Sequence, residues 1–248
     1  MIEKLLFSTK FKFFVVISFL LIGTVSNAQW NVDTSTATPT KYFMSDRAPS
    51  GAIYAILQDT SNGNKISVMK QNGTGWTYDL NGTGGTIGKG LTSSIGYNPT
   101  MKIDPANGNI YITYLENISG SFQVSCQKFD GSSWSFVGSS AFATVGTGGS
   151  PSIDVNNGNV VILAQGSSAN TFKVFKFNGS SWTNLIAGAS SNIVSLTTEM
   201  DYINYWGNTF SAEPGKGYQP LITSTGDIYV AYSQGASGIR ISKYTASN

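Results

Sequence analysis

The side chains equipped to do chemistry in this chain are oxygen acids and aromatic rings, because it contains no histidine and a single cysteine. Without histidine there is no imidazole zinc site, no Ser-His-Asp triad, no Cys-His dyad and no histidine acid–base step. Cys126 lies in the apolar run Phe122-Gln123-Val124-Ser125-Cys126, with no activating base near it in sequence, and reads as a buried core thiol. That leaves Glu116, Glu199, Asp201 and Glu213 as carboxylates able to pair across a glycosidic bond, a reaction that needs two of them at a defined separation. Asp104 and Asp154 precede Asn107-Gly108 and Asn157-Gly158, a context for Asx turns or, with carbonyls converging, for a hard cation. No dense Asp-x-Asp-x-Asp cluster accompanies them, so neither metal nor cofactor is expected.

Trp30, Trp76, Trp134 and Trp182 offer indole faces of the kind that stack on sugar rings. A tryptophan restated at one register of a repeat packs between neighbouring sheets, however, and that is the expected role of these four. The recurring Lys70, Lys128, Lys176 and Lys243 read as solvated or hydrogen-bonded residues that discourage edge pairing. A different aromatic group, Tyr202, Tyr205 and Trp206 beside Asp201 and Asn204, belongs to no repeat. Rings that take the C–H face of a neutral sugar, with an amide and a carboxylate for its hydroxyls, make these five residues the expected ligand contacts. The competing role for the same stretch is a plug over a channel or a sheet edge.

The elements that must position these residues are legible from a seven-residue signature. Lys128-Phe129-Asp130-Gly131-Ser132-Ser133-Trp134 returns as Lys176-Phe177-Asn178-Gly179-Ser180-Ser181-Trp182 and, more loosely, as Lys70-Gln71-Asn72-Gly73-Thr74-Gly75-Trp76. Asn-Gly or Asp-Gly between alternating apolar runs predicts a hairpin with a tight two-residue turn, Gly supplying the positive φ. A second glycine, opening the strand before each signature, stands at 51, 108, 158 and 226, with spacings of 57, 50 and 68 residues. Units of about 40–60 residues with four short strands each predict propeller blades. A β-sandwich would have no reason to restate the signature once per four strands.

The expectation is therefore an all-β, four-bladed β-propeller of four antiparallel strands per blade. The fourth unit stops one strand short at Ile239 to Tyr244, and Gln29-Trp30-Asn31-Val32 supplies an orphan strand, so the last blade is expected to be closed by the N-terminal strand. The long interval before Gly226 places an insertion at about residues 189–218, and insertions in repeat folds map to loops on one face, often the binding face.

Residues 1–28 are of another kind. Lys4, Lys10 and Lys12 precede the apolar run from Phe13 to Ile22, and Ser26-Asn27-Ala28 follows, the order of a cleaved signal peptide. The propeller domain would then occupy residues 29–248, exported to the cell surface or the extracellular space. Of the 15 basic and 13 acidic residues, residues 1–28 hold three Lys and one Glu, leaving 12 of each. A neutral surface argues against nucleic acid and against anionic lipid, both of which need clustered Lys and Arg. No second apolar run is long enough to span a bilayer.

By its Gly-x-hydrophobic-Tyr strands and its Lys-Phe-Asn-Gly-Ser-Ser-Trp turns, over about residues 42–244, the chain resembles secreted bacterial β-propeller repeat proteins. More distantly it is similar to sialidase-like propellers with Asp-box turns, although Asp130 is one residue too near Trp134 for that box. The three arginines that sialidase resemblance would imply are not available, since the chain has only Arg47 and Arg240. The resemblance implies a fold rather than an activity. Three readings of function are expected: a monomeric, non-catalytic binder of glycan or of a surface protein; a carbohydrate-active hydrolase or lyase; and a structural adhesin repeat with no discrete site.

Overall fold

The computed structural model describes residues 40–73, 75–146, 150–166, 172–185, 218–233 and 239–244. The chain divides into two compact units, Met1–Asp33 and Thr34–Asn248, and every described residue belongs to the second. It is all-β, with four antiparallel sheets that follow one another in chain order.

The first sheet orders β1 (Thr40–Arg47), β2 (Ile53–Asp59), β3 (Lys65–Asn72) and β4 (Gly75–Thr77) side by side, with a 3-10 turn, Thr60–Asn62, between β2 and β3. The second comprises β5 (Gly96–Ile103), β6 (Ile110–Ile118), β7 (Ser121–Phe129), β8 (Trp134–Phe136) and the short β9 (Ala143–Thr144). The third repeats the four-strand pattern with β10 (Ser152–Asn156), β11 (Asn159–Gln165), β12 (Phe172–Phe177) and β13 (Trp182–Asn184). The fourth has three described strands, β14 (Tyr218–Ile222), β15 (Ile228–Ser233) and β16 (Ile239–Tyr244). The strand expected at Trp30 lies outside the described residues.

Two details depart from the sequence reading. The second sheet has five strands, because β7 is nine residues long while β8 pairs only with its end, from Gln127 to Phe129. The chain then runs back along the unused length, and β9 pairs with Gln123 and Val124. The signature turns also differ in length. Asn72 pairs directly with Gly75, giving the tight turn expected, but Phe129 pairs with Trp134 and Phe177 with Trp182, so four residues intervene in each. In these longer turns a side chain reinforces the backbone bond, which runs from the Asp130 N–H to the Ser133 carbonyl at 3.3 Å and from the Asn178 N–H to the Ser181 carbonyl at 3.1 Å: Asp130 Oδ1 accepts from the N–H groups of Ser132 and Ser133, both at 2.9 Å. Asn178 Oδ1 does the same for Ser180 and Ser181, at 3.0 and 2.8 Å. Gly131 and Gly179 each sit at φ 97°, outside the range comfortable for a side chain.

Strand alternation sends successive side chains to opposite faces, so a sheet can pack on the one before with one face and on the one after with the other. Ile56, Ile66 and Val68 of the first sheet meet Met101, Ile103, Ile110 and Ile112 of the second. The opposite face of the second sheet, with Tyr111, Leu115, Val124 and Cys126, meets Ile153, Val155, Val160 and Ile162 of the third. Val161, Leu163 and Val174 then meet Ile222, Ile228 and Val230 of the fourth. These three seams are the core. Among the described residues no helix is long and apolar enough to cross a membrane.

Candidate functional site

The tryptophans that head the fourth strands are spent on the seams. Trp182 stacks on Phe142 of the second sheet, ring centroids 4.5 Å apart and planes 10° from parallel, and its Nε1 donates to the Val137 carbonyl at 2.7 Å. Trp134 packs into the first seam against Phe129, at 5.3 Å, and its buried Nε1 finds no acceptor among the described residues. Both rings are half-buried, packed against the seams. Trp76 is half-buried at the same register on β4.

The aspartates bind sheets together by a means that the sequence did not disclose. Asp46 Oδ2 accepts from the Ile103 N–H at 2.8 Å, tying β1 to β5. Asp104 forms the expected Asx turn with the Ala106 N–H, 3.0 Å, and also reaches across the second seam to the N–H groups of Asn157 and Gly158, at 3.0 and 2.8 Å. Asp154 is not in a turn: it lies within β10 and takes the Ile222 N–H of the fourth sheet at 2.8 Å. Each of the three seams thus has a carboxylate on one sheet holding a backbone donor of the next. Burial pushes the Asp154 carboxyl above its ordinary value, against the pull of the Ile222 N–H and of Lys102, whose Nζ is 3.7 Å away.

Three of the four recurring lysines also have partners. Lys70 Nζ donates to the Leu80 carbonyl at 3.5 Å, Lys176 Nζ to the Gly226 carbonyl at 3.1 Å, and Lys243 pairs with Asp227 at 3.0 Å. The hydrogen bond to Asp227 is the main cause that raises the Lys243 pKa.

A second polar group lies at the far ends of β2 and β6. Glu116 is buried and its Oε2 accepts from Ser125 Oγ at 2.5 Å. Asp59, also buried, accepts from Tyr78 OH at 3.0 Å and from Ser61 Oγ at 2.6 Å. Gln127 Nε2 bridges Tyr114 OH, 2.6 Å, and the Leu91 carbonyl, 2.9 Å. The sequence offered Glu116 as a candidate and missed Asp59, yet the two are equivalent, each five residues after the tyrosine that pairs with a signature lysine, Tyr54 with Lys70 and Tyr111 with Lys128. Register would have found it.

Burial pushes the Cys126 thiol far above the usual cysteine range, and the Tyr114 phenol likewise; Tyr111 is pushed up to about 12, chiefly by burial. At neutral pH all three stay protonated, and none is poised as a nucleophile or base. Among the described residues no group of three or more His, Cys, Asp and Glu is placed to hold a metal. Glu199, Asp201, Tyr202, Asn204, Tyr205, Trp206 and Glu213 lie outside the described residues.

No known protein family matches the sequence, and no curated protein matches it. Among solved structures the chain is similar to the fucose-specific lectin from Aleuria aurantia, at 18% identity and a TM-score of 0.44, covering 85% of this chain and 59% of the lectin. A substituted form of the Aleuria aurantia lectin in complex with Fucα1-6GlcNAc gives 17% identity, a TM-score of 0.48, and 85% and 63% coverage. An α-L-arabinofuranosidase from Fusarium graminearum gives 13%, 0.43, and 81% and 59%. The chain thus spans about three-fifths of the length of these proteins.

Proposed function

We propose that the chain is an exported, non-catalytic binding protein whose four sheets are blades of a β-propeller and whose ligand is a glycan, or a protein, of the cell surface. The observation that carries this reading is how the repeated polar and aromatic side chains are used. Trp134 and Trp182 fill seams, Asp46, Asp104 and Asp154 tie one sheet to the next, and Lys176 and Lys243 are engaged within or between sheets. The blades hold one another and leave ligand recognition to residues that the repeat does not require. Asp201, Tyr202, Asn204, Tyr205 and Trp206 are such residues, and their mixture of rings, amide and carboxylate suits a neutral sugar. The test is a glycan array with the protein, including fucosylated and arabinose-containing glycans, followed by Tyr205→Ala with Trp206→Ala. Loss of binding with an unchanged melting temperature supports the site; retained affinity removes it.

A second reading, a carbohydrate-active hydrolase, is favoured by the equivalent buried carboxylates Asp59 and Glu116 on adjacent sheets. Polysaccharide cleavage that disappears in both Asp59→Asn and Glu116→Gln, with the fold intact, would establish it over the binding reading.

A further inference from the structure

Asn-Gly bonds stand at Asn62, Asn72, Asn81, Asn107, Asn157 and Asn178. Asparagine before glycine is prone to lose its amide, because the backbone nitrogen of a residue without a Cβ can close on the side-chain carbonyl carbon. The fold treats these bonds unequally. The glycine N–H that would have to attack is held by Asp79 Oδ1 at Gly82, 2.9 Å, by the Asp104 carbonyl at Gly108, 2.8 Å, and by Asp104 Oδ2 at Gly158, 2.8 Å. The Gly179 N–H donates to no described residue, and both Asn178 and Gly179 are exposed to water.

The Asn178 amide is also set for attack. Its Oδ1 accepts from the N–H groups of Ser180 and Ser181, two donors aimed at the oxygen that becomes negative when Cγ is attacked. Its Nδ2, the atom that leaves, lies 3.4 Å from Ser181 Oγ. The product fits the same turn. Asp130 occupies the matching place in the second sheet and accepts from Ser132 and Ser133 in the same way, and Gly131 and Gly179 share a φ of 97°.

We propose that Asn178 is a site of self-modification, at which the chain converts its own side-chain amide into a carboxylate. The Gly179 nitrogen gives its proton to water or hydroxide and bonds to Asn178 Cγ. The Cγ–Nδ2 bond then breaks, and the amide nitrogen leaves as ammonia with a proton supplied by water. A second water opens the five-membered imide: breaking the new Cγ–N bond restores the main chain with aspartate, and opening at the backbone carbonyl gives isoaspartate. In sum one water is consumed and one ammonia released, with no change of oxidation state. The aspartate product turns the third sheet's signature into a charged copy of the second's.

Mass spectrometry of digests reads the reaction, after the folded protein has stood in mildly alkaline buffer, with the denatured chain as the reference for each bond. Asn178 should convert in the folded protein at least as fast as within about threefold of its denatured rate, while Asn81 and Asn157, whose glycine N–H groups are held by carboxylates, should slow by about tenfold or more, and Asn107, held by a carbonyl, by several-fold. Conversion of Asn178 slowed as much as that of Asn157 overturns the proposal. Asn178→Asp, the aspartate product made directly, should melt with the parent protein at pH 7. A large fall in its melting temperature also overturns the proposal, since the turn would then not receive the carboxylate.

Discussion

The second and third sheets carry the same seven-residue signature and use it with different success. Trp182, in the third, donates its indole N–H to Val137, whereas Trp134, in the second, buries an N–H without an acceptor among the described residues. The difference originates in the preceding sheet rather than in the signature. Val137 continues the strand ladder, its N–H bonding to the Cys126 carbonyl at 2.9 Å, and so its own carbonyl is held where Trp182 needs it. The residue at that place after β4 is Asp79, which turns away. Its N–H goes to Thr77 Oγ1 at 3.0 Å, and its carboxylate gathers the N–H groups of Gly82, Thr83 and Gly84. A repeat motif is thus completed by its neighbour, and a change of loop in one sheet is felt as an unsatisfied donor in the next.

The largest effects should come from emptying the seams. Trp182→Ala is expected to cost about 3–5 kcal/mol, the range for large aromatic truncations in cores, and to leave the Val137 carbonyl unpaired as well. Trp134→Ala should cost less than Trp182→Ala, because it removes an indole that has no hydrogen bond to lose. Denaturant unfolding of the two variants checks the order, and equal or reversed costs would break the comparison.

The carboxylates between sheets come next. Asp104 is buried and serves two N–H groups of the third sheet as well as the Ala106 N–H and the Asn107 amide of its own turn; the third-sheet donors sit at exposed residues where water can take them, so Asp104→Ala should cost about 1–3 kcal/mol in all. Asp46 is itself only half-buried and serves two donors, the buried Ile103 N–H across the seam and the exposed Arg47 N–H, so Asp46→Ala removes fewer bonds and should cost less than Asp104→Ala. Equal losses in an equilibrium unfolding measurement would show that Asp104 acts through its own turn rather than through the seam.

Smaller, and more discriminating, are the tryptophan-to-phenylalanine pair. Trp182→Phe loses a hydrogen bond of net value about 0.5–1.5 kcal/mol in addition to volume. Trp134→Phe loses volume but relieves a buried unpaired donor, so it should fall within about 1 kcal/mol of the parent protein on either side. Thermal melts of both, with Trp134→Phe the more stable, would confirm that the signature's value depends on the sheet before it.

These contrasts also show what could be read from the residues alone. The order of strands was legible because Gly and Asn/Asp-Gly mark turns by local backbone physics, and the packing role of Trp134 and Trp182 followed from their recurrence at one register. The inter-sheet roles of Asp46, Asp104 and Asp154 were not. They depend on which backbone donor of the next sheet comes within reach, and Asp104 and Asp154 stand at the same distance from their glycines while occupying a turn in one sheet and a strand in the next. The fifth strand, β9, was hidden for the same reason, since it exists only because β7 outruns β8. The aromatic group at residues 201–206 was singled out by exclusion, as the cluster that the repeat does not explain, and exclusion names residues without giving their geometry.

The last contrast is between Asp130 and Asn178, which make the same turn with and without a charge. The N–H groups of Ser133 and Ser132 and the Ser132 hydroxyl hold the Asp130 carboxylate down to about pKa 2, the Ser133 N–H foremost. A carboxylate lowered by folding stabilises the fold fully above its unfolded value, near 4, and loses that contribution as pH falls through about 2. Asn178 cannot titrate, so the third sheet's turn carries no such dependence. Asp154 acts in the opposite direction: its carboxyl is raised by burial, so ionising it opposes folding and acid relieves that cost. A melting profile of the unaltered protein between pH 4 and 2 contains both contributions. Asp130→Asn, which copies the third sheet's turn into the second, should flatten the acid-side decline while changing little at pH 7, because the amide oxygen accepts the same two backbone bonds. An acid profile identical to that of the parent would mean that the Ser132 and Ser133 bonds to Asp130 are not maintained in solution, and the two copies of the signature would then differ at the turn as well as at the tryptophan.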